Sequence, residues 1–103
     1  MPEPQDVLLE RLTIAAMEFL VPLRQGDGFD NSKYSILAKT LQDAAKEWRG
    51  KADVPKKAAI IFVDIFDAVW SSSYLYGESE GSTIRQRADH LAALVRECVS
   101  NEQ

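Results

Sequence analysis

The chain has 103 residues, 46% of them hydrophobic, with 12 Lys/Arg against 16 Asp/Glu and a net charge of −4. That length and composition predict a single domain, residues 1–103, able to bury a core without metal or disulfide. The acidic balance disfavours a non-specific grip on nucleic acid or an anionic membrane, and it suits a basic partner.

The N-terminal MPEPQD lacks the basic and apolar regions of a signal peptide. The lone cysteine, Cys98, cannot form an internal disulfide and fits a reducing compartment, so a cytoplasmic location is expected. The spacing predicts a first helix over residues 5–21, opened near Pro4 with Asp6 at its positive end. Leu8, Leu12, Ala15, Ala16, Phe19 and Leu23 form its core stripe, flanked by Leu9 and Leu20. Val7, Ile14, Met17 and Val21 make a second apolar line on the opposite side. These four are either ordinary surface residues or a face for a homodimer or a partner. Pro22 is expected to end or kink the helix.

Residues 25–31, QGDGFDN, read as a turn, with Asp30 or Asn31 capping the next helix. They are not a calcium loop, because Phe29 occupies a ligand position and Ala38 stands where a bidentate glutamate is required. A second amphipathic helix is predicted over residues 32–49, carrying Tyr34, Leu37, Leu41, Ala44, Ala45 and Trp48 inward. Gly50 suits its C-terminal cap.

The third helix, over residues 54–76, is the most apolar. Asp53 is expected to cap it and Pro55 to sit in its first turn. At about 100° per residue, its apolar positions, Ala59, Val63 and Phe66 among them, sweep roughly 220° of the circumference. Only Ile60, Asp64, Asp67, Ser71 and Glu78 remain outside that arc. Such a helix is expected to pack against at least two others, with the aspartates on its wet side. Because Asp64 and Asp67 interrupt the apolar run, no membrane span is expected. Lys56 and Lys57 join Arg49 and Lys51 in a basic corner beside Trp48, either a solvated corner or an anion site.

Gly77 should end that helix, and GESEGS reads as an acidic turn leading to Ser82, the cap of a last helix over residues 83–100. Its inward stripe is Ile84, Ala88, Leu91, Val95 and Cys98, which makes Cys98 a small buried hydrophobe. Four helices with short connections predict an all-α fold, an antiparallel up-down-up-down four-helix bundle.

Asp64-x-x-Asp67 could hold a divalent ion, but the other helices send no Asp, Glu or His inward, so no metal or cofactor is expected. Ser71, Ser72 and Ser73 lack a base and a glycine elbow, which leaves no nucleophile, and they can instead permit close helix approach. With one histidine and no convergent polar cluster, a non-enzymatic function is expected. The preferred binding surface for a basic partner protein is Asp64, Asp67 and Glu78, with Glu80 in the adjoining loop.

Two resemblances extend that reading. Arg85-x4-His90 resembles the arginine and histidine of the bundle ribonucleases called HEPN domains, over those six residues alone. The resemblance implies metal-independent RNA cleavage; since the two residues lie about 140° apart around a helix, the site would be completed across a dimer. The succession of a helix carrying KYSILAKTL, a proline-started apolar helix ending in YLY and a polar last helix resembles small bacteriocin-immunity proteins over about half the chain. That resemblance implies a bacterial inhibitor that works by covering its target. A self-associating adaptor or structural subunit of a larger complex is the alternative.

Overall fold

The computed structural model describes residues 5–100, with side chains from residue 7; the helix opening at Pro4 and the role of Asp6 lie outside the described part. Four helices form: α1 (Gln5–Arg24), α2 (Asn31–Trp48), α3 (Lys56–Ser72) and α4 (Glu78–Val99), with a 3-10 turn, Ser73–Leu75, after α3.

Helix α1 does not end at Val21 but runs three residues beyond it, with Pro22 inside the last turn. Proline in the last turn forfeits only one internal hydrogen bond, while continuing the helix seats Leu23 fully in the core, worth about 1.5–3 kcal/mol. Gly26 and Gly28, with φ of 78° and 120°, then turn the chain in a conformation that side chains with a Cβ disfavour. Asp30 caps α2 by accepting the Lys33 N–H at 3.1 Å. Beyond the other end of α2, Gly50 takes φ 82° and donates its N–H to the Ser100 carbonyl at 2.8 Å, tying the ends of α2 and α4 together.

Asp53 does not cap α3. Pro55 holds the cap position with φ −55° and no side-chain bond to the helix, while Asp53 is exposed upstream. The α-helix stops at Ser72, short of Tyr76, and tightens into the 3-10 turn. The acidic turn is also absent: GESEGS is the start of α4, with Gly77 as N-cap and Glu78 and Glu80 in the first turn. Carboxylates there face the positive end of the helix. Gly81 is no turn residue either; a Cβ on it would stand 2.6 Å from the Ser73 carbonyl oxygen, so glycine is what lets the 3-10 turn lie against α4.

The chain runs up, down, up, down as an all-α four-helix bundle, but its order around the ring is α1, α2, α4, α3. Helix α1 is antiparallel to α2, since Arg11 meets Asp43 and Glu18 meets Lys33. Helix α4 folds back on α3, where Arg85 meets Ser73. The other two neighbouring pairs are parallel: Tyr34 meets His90 and Leu41 meets Cys98 between α2 and α4. Between α1 and α3, Lys57 lies beside Thr13, and Asp64 beside Val21 and Arg24. Two antiparallel hairpins therefore lie side by side, and the link between α2 and α3 crosses a diagonal.

The inward faces of all four helices meet in one core that includes Leu12, Leu37, Ile65 and Leu91, all with 0% exposure. Phe19, Phe29 and Tyr34 cluster at one end, with ring centroids 5.3 to 5.8 Å apart, and Trp48 meets Phe62 edge-on at the other. The Tyr76 hydroxyl donates to the Leu23 carbonyl at 2.9 Å and accepts the Gly28 N–H at 3.1 Å, clasping the α1–α2 turn to the end of the 3-10 segment.

Candidate interaction surfaces

Helix α3 departs most from its expected packing. Ala58, Phe62, Ile65, Ala68, Val69 and Ser72 are buried, but Ala59, Val63 and Phe66 join Ile60 outside. In a ring of four, each helix meets two neighbours and the centre, which covers a little over half its circumference. An apolar arc of roughly 220° overfills that space, so the surplus lies on the surface. Val63 is 70% exposed and Ile60 64%. Phe66 and the half-buried Trp70 stack at 5.7 Å, and Tyr74 continues the strip beneath the Arg85 guanidinium. The segment Lys56–Leu75 is long and apolar enough, by length and composition, to cross a membrane despite its two aspartates. The interruption by Asp64 and Asp67 therefore does not by itself exclude a span; the inward face of α3 supplies part of the bundle core.

The four expected partner-binding carboxylates do not form one strip. Asp64 lies in the groove between α1 and α3, beside Met17, Val21 and Arg24. Asp67 is exposed, about 60° further round α3 and near the centre of the outer apolar strip. Glu78 is exposed in the first turn of α4, and Glu80 lines a different groove, with Phe29, Asn31 and Arg87 against the start of α2. None of the four has an ion-pair partner among the described residues. By contrast, Lys39 and Arg11 hold the Asp43 carboxyl below its usual range at the α1–α2 seam.

Val7, Ile14, Met17 and Val21 are all exposed, as a second line on α1 requires. Ile14 stands on a ridge between two grooves. One, of about 220 Å³, lies toward α2 and includes Ile36; the other lies toward α3 and includes Lys57. Sequence spacing identified the α1 line but missed that Ile61 and Asp64 of α3 border it at Met17 and Val21, which becomes visible only once α1 and α3 are known to be neighbours.

Arg85 and His90 are held apart. Arg85 donates to Ser73 Oγ at 3.0 Å on the α3 side, while His90 Nδ1 is hydrogen-bonded to the Tyr34 hydroxyl on the α2 side. Arg87 lies over the Tyr34 ring at 5.5 Å. Burial pushes the Tyr34 hydroxyl pKa above its ordinary value, and the nearby Arg87 charge partly offsets this. The basic corner is divided as well: Arg49 pairs with Glu97 at 2.9 Å, whereas Lys57 lies against α1. Among the described residues, no three His, Cys, Asp or Glu side chains converge as a metal site. Cys98 is fully buried, donates to the Leu41 carbonyl at 3.3 Å, and has its pKa pushed up to about 12 by burial.

Comparison of the chain with protein-family models, curated proteins and solved structures gave no match.

Proposed function

We propose that the protein is a non-enzymatic binding module of the inhibitor or immunity type, which covers an apolar, basic-edged surface of another protein with the outer face of α3. The observation that carries this reading is the surplus apolar arc itself: Val63, Phe66, Trp70 and Tyr74 lie in line on the outside of the bundle around Asp67. Apolar side chains supply the binding free energy, and the unpaired carboxylate favours a basic rim and faster encounter. An acidic group near the middle of the strip also opposes docking on an anionic bilayer.

The test is capture of partners from native lysate by wild-type protein and by Val63→Glu, with vesicles containing anionic lipid as a second probe. A stoichiometric protein retained by wild type, lost with a folded Val63→Glu variant and weakened by salt would support the reading. Binding to the vesicles without a protein partner would overturn it. Asp67→Lys should leave the helix content unchanged and slow association with the captured partner severalfold at low salt; an unaltered rate would remove Asp67 from the surface. The ribonuclease reading has less support, because the contacts of Arg85 and His90 direct them to different neighbouring helices.

A further inference from the structure

We infer that the face formed by α1 and α3 is a self-association surface, on which a second copy of this chain packs antiparallel about a two-fold axis passing at the level of Met17. Met17, 59% exposed, and Ile60, 64% exposed, mark its apolar centre. The charges around that centre are self-complementary. Glu10 and Lys57 line one end of the face, and Arg24 and Asp64 lie toward the other. None of these four is ion-paired among the described residues.

Helices α1 and α3 run parallel, with Lys57 in a groove beside residues 9–14 and Ile61 and Asp64 in one beside residues 13–24, which puts Met17 near the level of residues 60–62 of α3. Glu10 and Arg24 are then equidistant from Met17, about 10 Å to either side at 1.5 Å per residue. Lys57 and Asp64 are likewise about 5 Å to either side of the Ile60–Ile61 level. A two-fold axis in the plane of the face and perpendicular to the helices brings Glu10 onto the second copy's Arg24. The same operation brings Lys57 onto its Asp64, and each pair occurs twice, as an isologous interface requires. Antiparallel packing also opposes the dipoles of two helices that point the same way within one copy, which a parallel arrangement would stack.

With α1 about 30 Å and α3 about 25 Å long and the pair about 20 Å across, the face projects roughly 500–600 Å², toward the small end of specific interfaces. The surface meets the outer α3 strip along Ile60 but leaves Phe66, Trp70 and Tyr74 free, so the dimer would present two copies of the proposed binding face. It also leaves α4 remote from the partner, and so does not join Arg85 to a second His90.

Sedimentation of the full chain at 5 to 500 µM tests the dimer, with circular dichroism to confirm folding of each variant. The expected result for wild type is a species of twice the 11.5 kDa chain mass, dissociating as salt is raised. Ile14→Glu and Met17→Glu should be folded monomers. Arg24→Glu should weaken the dimer about tenfold, and Glu10→Arg in the same chain should restore it, because each reversal acts at two symmetric pairs. Met17→Cys, lying beside its own copy, should form a disulfide-linked dimer under mild oxidation, while buried Cys98 stays reduced. A wild-type monomer at 500 µM would overturn the inference. So would a dimer indifferent to Met17→Glu, or failure of Glu10→Arg to rescue Arg24→Glu.

Discussion

Cys98 sits where α4 meets α2, with its thiol against a backbone carbonyl and no surface exposed to solvent. Burial favours the neutral thiol, and the folded pKa near 12 exceeds the ordinary 9.0. Below pH 9 both folded and unfolded chains keep that proton, so the full contribution is present. Between about 9 and 12 the unfolded chain loses a proton that the folded chain retains, and stability falls by up to about 4 kcal/mol across the interval. Tyr34 acts in the same direction from about pH 10. Urea unfolding from pH 8 to 10 should show this decline in wild type. Cys98→Ala should cost about 1–2 kcal/mol at neutral pH through lost packing but flatten the decline; an equal slope in both proteins would refute the assignment. The burial of Cys98 was legible in the sequence, because its helical register falls on the stripe of Ile84, Ala88 and Leu91. The Tyr34–His90 bond was not, since nothing in either helix's own pattern shows which residue it will face.

Among the elements, α1, α2 and α4 were legible for a common reason. In α2 and α4 a single apolar stripe stands opposite polar residues. In α1 the stripe of Leu8, Leu12, Phe19 and Leu23 is fuller than the opposite line of Val7, Ile14, Met17 and Val21, so each has one best way to turn inward. Helix α3 is apolar on most sides, so its sequence specifies what can be buried and not what is; packing geometry selected the side containing Phe62 and Ile65 and excluded Val63. The start of α4 was misread because glycine commonly signals a turn, whereas Gly81 is needed for its missing side chain. Gly81→Ala should therefore destabilise the protein by about 1–3 kcal/mol, although alanine favours an exposed helix by about 1 kcal/mol. A thermal melt showing equal or greater stability would mean that the Ser73 carbonyl can move aside.

For the molecule as a whole, helix number and alternating direction followed from the short connections, but the order around the ring did not. The link between α2 and α3 contains enough residues to reach either an adjacent or a diagonal position, and no residue in it selects between them. Placing α1 beside α3 brings together two partly apolar helices and makes the proposed dimer surface possible. Association would then stabilise the fold by mass action, so the melting temperature should rise with protein concentration in wild type and remain constant in Met17→Glu. A flat wild-type response would count against the dimer independently of sedimentation.

The diagonal link has a separate consequence. Lys51, Ala52 and Asp53 in it are exposed, and the chain before and after it consists of two antiparallel helix pairs that share the core. Cleaving the backbone at Ala52 would leave complementary fragments, each holding one helix pair with its share of the core and neither able to cover its own apolar side. Their reassembly would become bimolecular, turning the bundle into a split protein whose halves report, by regaining helicity on mixing, that they have met.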